Sequence, residues 1–431
     1  MIGRLGIAVP LAAMAAGMAA WLAWGQPPGA RAVPIRGVEW AGKGVWLRAE
    51  LHTHTRFSDG AHTVDEVVAA AAKNHCDIVA ITDHTDGNLK AVTPEYFSAI
   101  QAARAANPDL LVVAGIEWNV PPGKGQEHAG VLLPSSLEQQ DTLAAFKEQF
   151  DDENKEGENP ELAIAALAFL KRAGGSGQLP VMLMNHPARV PASTSAPVLT
   201  FEGLHRAAPG IVAGVEGGPG HQRSTPLGSY KRPETLIDRW DPLVAQVGGA
   251  WDTWLAKGLD VWGAAADADF HHENGEYWPC EFSSTWVYAP DRSIDGVIRA
   301  LHAGSYFGEH GHIVSKAELS ATPAGQTRAA VAGQRLTAAV GSTLSVALAL
   351  DVPDVDFEGK PNRVDVVELI GVSGGKATVL YSGAPQAPAA FNVPVTVPAG
   401  GIVLRARGRR NVDGGPALQF YTNPIRVATA R

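Results

Sequence analysis

The stretch LRAELHTHTRFSDGAHT, residues 47–63, ends an apolar run on two histidines one residue apart and places an aspartate five residues further on. Alternate side chains of a strand share a face. His52 and His54 would therefore aim two imidazoles at one point, and the turn Ser58-Asp59-Gly60 would fold the Asp59 carboxylate back toward it. That geometry suits a metal ion. Taken alone, the same letters also read as a polar strand end followed by a turn, so the rest of the chain has to decide.

From residue 45 to about 310, short apolar runs alternate with helical ones. The run ending at His54 precedes TVDEVVAAAAKNHC, where Thr63 and Glu66 spell a capping box. DIVAITD then precedes TPEYFSAIQAARAA, with Thr93 as N-cap and Pro94 at the first helical position. LLVVAGIE, EHAGVLL, PVMLMNH, IVAGVE and LDVWGAAAD supply further strands. This alternation predicts a parallel α/β sheet closed into a barrel over residues 45–315. Near residue 316 the texture changes: STLSVALAL alternates strictly, VDVVELIGV is β-branched, and no helical period survives. Residues 316–431 are expected to form a small β-sandwich.

In a parallel barrel the loops at the C-terminal strand ends converge on one face. The first strand closes on His52 and His54, the second on Asp83 and His84, and the third on Glu117. The next apolar run begins at His128, MLMNHP ends in His186, and VWGAAADADFH carries Asp267, Asp269 and His271. So many imidazoles and carboxylates on one rim would be costly to bury without cations to neutralise and order them.

In that order, HTHTRFSDG, AITDH, GIEW with His128, NHP and DFH resemble the motifs of the PHP superfamily (polymerase and histidinol phosphatase). Within it the chain looks most like the metallohydrolase branch that includes carbaryl hydrolase, a likeness extended by TWVYAPDRSIDGVIRALHAGSYFGEHG and YTNPIRV. The resemblance implies a distorted (β/α)7 barrel and two to three divalent metal ions: zinc, manganese or iron. Carried over residue by residue, it implies that His52, His54, Glu117 and Asp269 hold one ion, and Asp59, His84 and His271 a second. His128 and His186 would hold a third, with Glu117 as the bridge. This chain writes DADFH at its last motif; Asp269 keeps the Asp-x-His spacing and Asp267 is its rival.

Closely packed cations would acidify a water to give hydroxide near neutral pH and neutralise charge on phosphoryl or carbonyl oxygens. The expected function is a phosphoesterase on small mono- or diesters. Alternatives are a carbamate, amide or carboxylic ester hydrolase using the same site, and a non-catalytic metal- or glycan-binding protein. A serine hydrolase has little support, since the only Gly-x-Ser-x-Gly spelling, Gly371 to Gly375, falls in the strand-rich C-terminal stretch and not at a strand-to-helix turn. Arg56 and Arg189 are candidates to clamp a phosphate, and His221 to protonate a leaving group. Asp83 is expected to orient His84, and His310 and His312 to serve in structural hydrogen bonds.

Residues 1–32 read as an export signal or, uncleaved, a membrane anchor: Arg4, an uncharged run from Leu5 to Trp24, then small residues up to Ala32. A periplasmic or extracellular protein is expected. Removing this segment takes away Arg4, Arg31 and no acid, so the formal charge moves from −9 to −11. With no basic stripe, a nucleic-acid polymer would be repelled, and a small ester is the expected partner. Cys76 precedes a barrel strand and Cys280 follows the loop at its far end. A strand of about six residues would separate them by about 20 Å, well beyond the ~7 Å a disulfide tolerates. Two free thiols are therefore expected, and a 76–280 bond would mean that this strand order, and with it the one-faced metal site, is wrong.

Overall fold

The computed structural model describes residues 34–121, 127–151, 160–189, 201–228, 230, 238–387 and 389–430. The segment expected to direct export, residues 1–32, lies outside them. Among the described residues no helix is long and apolar enough to cross a membrane.

The barrel-like half contains β1 (Ile35–Arg36), β2 (Val45–Glu50), α1 (Val64–Lys73), β3 (Ile78–Ile81), α2 (Pro94–Ala106), β4 (Leu111–Asn119) and β5 (His128–Leu132). It continues through α3 (Gln139–Phe150), α4 (Pro160–Gly174), β6 (Val181–Met184), α5 (Phe201–Ala207), β7 (Val212–Gly218), α6 (Pro242–Ala245), α7 (Ala250–Ala256) and β8 (Trp262–Ala266). Then come β9 (Ser283–Ala289), α8 (Ile294–Ala303) and β10 (Tyr306–His310). The helix starts follow their local chemistry. The Thr63 hydroxyl accepts from the Glu66 N–H at 3.3 Å while the Glu66 carboxylate accepts from the Thr63 N–H at 2.8 Å. Thr93 caps α2 and Pro94 occupies its first turn.

Strands β2, β3 and β4 run parallel, as do β6, β7 and β8. The sheet departs from the expected all-parallel barrel at β5, which is antiparallel to both neighbours. The cause is the connection: only the stretch from Val120 to Glu127 separates β4 from β5, too short for the helical crossover that parallel pairing needs. Its ends meet through a Val120 N–H to Glu127 carbonyl bond of 2.8 Å. The wall is a curled sheet whose hydrogen-bonded order ends at β8. At the mouth a lone parallel bridge, Thr53 with Phe270, joins the chain beyond β2 to the chain beyond β8. Lower down, antiparallel β9 and β10 line the other side of β2.

The C-terminal part holds β11 (Lys316–Pro323), β12 (Ala330–Val331), β13 (Arg335–Ala338), β14 (Thr343–Asp351), β15 (Val366–Ser373) and β16 (Lys376–Gly383). It ends with β17 (Phe391–Thr396), β18 (Ile402–Arg410), β19 (Leu418–Thr422) and β20 (Ile425–Thr429). Four of these form a separate sheet in the order β12-β11-β14-β17. The others extend the long sheet, because β19 pairs with β10. Leu319, Leu344 and Val346 from the separate sheet share one buried cluster with Leu404, Phe420 and Ile425 from the long one.

A buried ion pair fastens the two parts. Arg405 on β18 donates to both Asp252 oxygens on α7, at 2.7 and 2.8 Å, and its guanidinium lies 4.8 Å from the Trp251 ring centre. Neither side chain meets solvent appreciably. Removing one member strands the other charge in the interior, so Arg405→Ala is expected to lower stability by about 3 kcal/mol. A urea midpoint equal to that of the parent would contradict this.

The cysteine expectation is overturned. Cys76 and Cys280 form a disulfide, with Cα atoms 5.8 Å apart. The strands are staggered rather than level: β3 has four residues, and Ile78 stands opposite Ala49 near the end of β2. Cys76, two residues earlier, is thus level with Leu47 in the middle of β2 and not below its start. The loop after His271 returns outside the wall, where the Pro279 carbonyl accepts from Asn74 and the Cys280 carbonyl from Arg48. Both strand ends remain where the site needs them.

Candidate metal centre

Each strand end delivers its side chains to one mouth. Beyond β2, the Thr53–Phe270 bridge fixes the backbone between His52 and His54, with the His54 N–H donating to the Phe270 carbonyl at 2.8 Å. Asp59 returns toward them because Gly60 lies against the His54 backbone. A Cβ there would sit 2.5 Å from His54 carbonyl atoms, so a larger residue would push the turn away. His84 follows β3 and pairs by its backbone with Glu117 on β4. The reversal of β5 places its first residue, His128, opposite Asn119 and so at the same mouth. His186 follows β6, and Asp269 and His271 follow β8.

Glu117 is the hub. Its Oε1 lies 3.2 Å from nitrogens of His52, His128 and His186, and its Oε2 lies 3.2 Å from those of His54 and His84. Asp269 Oδ1 stands 3.1 Å from His52 Nε2 and 3.4 Å from His54 Nε2. Asp59 reaches His54 at 3.4 Å, His271 at 3.3 Å and His84 at 4.0 Å. Potential ligand atoms gather within 4.8 Å of one another in four overlapping groups. These are His52, His54, Glu117 and Asp269; His54, Asp59, His84 and His271; His84, Glu117 and His128; and His221, Asp269 and His271. Two of them bring together the residues named for the first and second ions, His54 joining the second. The third takes in His84, while His186 stands beside Glu117 outside it.

The residues present fit divalent cations. The Oδ1 of buried Asp269 and the Nε2 of buried His186 lack a well-aligned hydrogen bond, and the donors are imidazole and carboxylate throughout. Burial alone would raise the Glu117 carboxyl, but the imidazoles of His52, His128 and His84 outweigh it and hold the group well below the usual carboxylate range. Burial pushes His84 down to about 4. Burial, reinforced by Arg189, pushes His186 down to about 3. Both rings are neutral at pH 7 and present lone pairs, as ligation requires. His186, His221 and Asp269 all have positive φ, at 29°, 58° and 49°. Three non-glycine residues held in this sparsely populated region on one rim mark a site that the surrounding structure over-determines.

Several supporting groups were not read from the sequence. Asn185 donates to Glu117 Oε1 at 2.8 Å and accepts from the Gly130 N–H at 3.1 Å. Glu216, at the end of β7, accepts from the His186 N–H at 2.8 Å and lies 3.6 Å from His52 Nδ1. Glu276 lies 2.8 Å from His221 Nδ1 and accepts from the backbone of His271 and His272. Asn185 and Glu216 had a visible signal, one beside His186 and the other closing an apolar run. Glu276 sits in an irregular loop and had none.

Other expectations need correction. Asp83 does not orient His84; it accepts from the Thr55 N–H and hydroxyl and the Ser58 hydroxyl, at 2.7, 2.8 and 2.6 Å, pinning the turn that carries Asp59. Asp267 accepts from the Leu51 N–H at 2.9 Å and so braces the barrel wall, while Asp269 enters the cluster. Arg56 is exposed and donates to the Ala61 carbonyl at 2.7 Å, so the structure does not bring it to the cluster. Arg189 does approach, its guanidinium 3.4 Å from His128 Nδ1. His221 reaches Asp269 Oδ2 at 2.7 Å. His310 is buried against Trp240 and Phe282 with neither ring nitrogen hydrogen-bonded, and His312 lies beside the Cys280 carbonyl and Arg48.

Comparisons with known proteins bear on part of this chain. A 78-residue stretch, 18% of the chain, is 35% identical to an uncharacterized protein of Methanocaldococcus jannaschii. The chain spans 36% of that relative's length. A crystal structure from Bacteroides vulgatus ATCC 8482, of a two-domain protein containing a predicted PHP-like metal-dependent phosphoesterase, aligns over 91% of this chain and 98% of its own. Its sequence identity is 16% and its TM-score 0.42. An amidohydrolase from Chromobacterium violaceum, with bound sulfate and no metal, aligns over 53% of this chain and 89% of its own at 16% identity and TM-score 0.30. Residues 50–169, which carry His52, His54, Asp59, His84, Glu117 and His128, match the PHP domain family.

Proposed function

We propose that the chain is an exported, metal-dependent phosphoesterase acting on small phosphate mono- or diesters, of the branch that resembles carbaryl hydrolase. The observation that carries this reading is the convergence of five imidazoles on the buried Glu117 carboxylate, with Asp59, Asp269 and His271 alongside. His52, His54, Glu117 and Asp269 would hold one cation, Asp59, His84 and His271 a second, and His128 and His186 a third. When bound, two or three zinc, manganese or iron ions would acidify a water and neutralise charge on the ester oxygens. Arg189, whose guanidinium lies 3.4 Å from His128, would offer the phosphoryl group a bidentate anchor. His221, held between Asp269 and Glu276, is placed to protonate the leaving group. The Cys76–Cys280 disulfide supports export, since such bonds persist in oxidising compartments.

A chromogenic phosphodiester and an aryl ester, each assayed with added manganese or zinc and again after chelation, test this reading. Metal-dependent turnover of the phosphodiester is expected, and His54→Ala should abolish it while leaving the far-UV spectrum unchanged. Faster turnover of the aryl ester would move the assignment to a carboxylic ester or carbamate hydrolase. Full activity after chelation would end the metal reading.

A further inference from the structure

We infer that Asp241, with Tyr230, is a positioning residue that moors Arg189 at the mouth and thereby sets affinity for a phosphoryl group. The inference rests on the anchoring role proposed above for Arg189. Asp241 is fully buried at the start of α6, well away from the Glu117 hub in sequence. Its two oxygens do different things. Oδ1 caps α6 by accepting from the Leu243 N–H at 2.8 Å. Oδ2 leaves the helix and accepts both the Ala188 N–H at 2.9 Å and the Tyr230 hydroxyl at 2.7 Å. The Asp241 N–H in turn donates to the Gly217 carbonyl of β7 at 2.8 Å. The residue before Arg189 is thus tied, through one carboxylate, to a strand of the wall.

The same short segment is held twice more: the His186 N–H by Glu216, and the Arg189 N–H by the His186 carbonyl at 2.9 Å. The first contact holds the His186 end of the turn, and the second closes the turn on itself without tying it to the wall. Only Asp241 holds the peptide N–H next to Arg189 among the hydrogen bonds described for this turn. An arginine has long, freely rotating bonds, and ordering it on binding weakens affinity; a fixed backbone reduces that cost. Tyr230 supplies a second donor to the same oxygen, so the carboxylate remains aimed at Ala188.

The test is binding of inorganic phosphate to the full-length, manganese-loaded protein by calorimetry, with metal content measured on every sample. Asp241→Asn keeps a good helix cap but turns an amide toward two donors, so it should weaken phosphate binding about tenfold, roughly 1.4 kcal/mol. Tyr230→Phe, a gentler variant, should weaken it about threefold. Arg189→Ala should weaken it at least as much as Asp241→Asn, and the Arg189→Ala/Asp241→Asn double variant should bind no worse than Arg189→Ala alone. That non-additivity distinguishes mooring of Arg189 from a general structural role. Unaltered binding in Asp241→Asn, independent losses that multiply in the double variant, or loss of metal from Asp241→Asn would each overturn the inference. Failure of the parent protein to bind phosphate would overturn the Arg189 anchor itself and the inference with it.

Discussion

Glu117→Gln is expected to empty the metal centre and lower hydrolase activity by at least about 100-fold, the upper end of the roughly 10- to 100-fold loss seen for an outer partner of a metal ligand. The substitution preserves shape and removes charge. Five imidazoles stand within 3.2 Å of this one carboxylate, and Asp59 and Asp269 each reach only some of them, so the loss of its charge is only partly compensated. His54→Ala removes one donor from groups that retain several others, and its loss of metal should be less complete. Elemental analysis of the two variants side by side gives the comparison. A Glu117→Gln protein that kept both its metal and its rate would reduce Glu117 to an ordinary strand-end carboxylate.

The second large effect concerns the disulfide. Cys76→Ser opens a loop spanning a sequence separation of 204 residues. In the chain-entropy account of crosslinks, a loop of that length confers about 5 kcal/mol. The denaturant midpoint should fall accordingly, and added reductant should lower the parent toward the variant. Metal content under native conditions should be little changed, since the loop behind His271 is also held by Glu276, Asn74 and Arg48. Coincident midpoints, or two alkylated thiols in unreduced protein, would contradict this.

That bond also shows what the letters could carry. His52, His54, Asp59, His84 and Glu117 were legible because strand alternation and the closing of apolar runs place side chains at a mouth irrespective of how strands are staggered. His128 was legible as a motif residue, though its strand runs opposite to expectation. Stagger and direction are properties of pairing between segments, and hydrophobic pattern alone does not specify them. The distance between Cys76 and Cys280 depends on both, so reasoning from level, six-residue strands failed there. Asp83 was misjudged for a related reason, and Asp267, named only as the rival of Asp269, shows the same behaviour. Each stands beside a ligand position, yet each turns to brace backbone: Thr55 in one case, Leu51 in the other. Glu276 and Asp241 lie in loops or at a short helix start, where no periodicity points to a partner. Their roles emerge only once distant segments meet.

This mouth is proposed to hold divalent cations that hydrolysis requires. Elemental analysis of gently purified protein, paired with an ester hydrolysis assay on the same sample, tests it most directly. Two to three divalent ions per chain are expected, with activity falling in step as they are stripped and returning on their restoration. A metal-free preparation with full hydrolase activity would contradict the account.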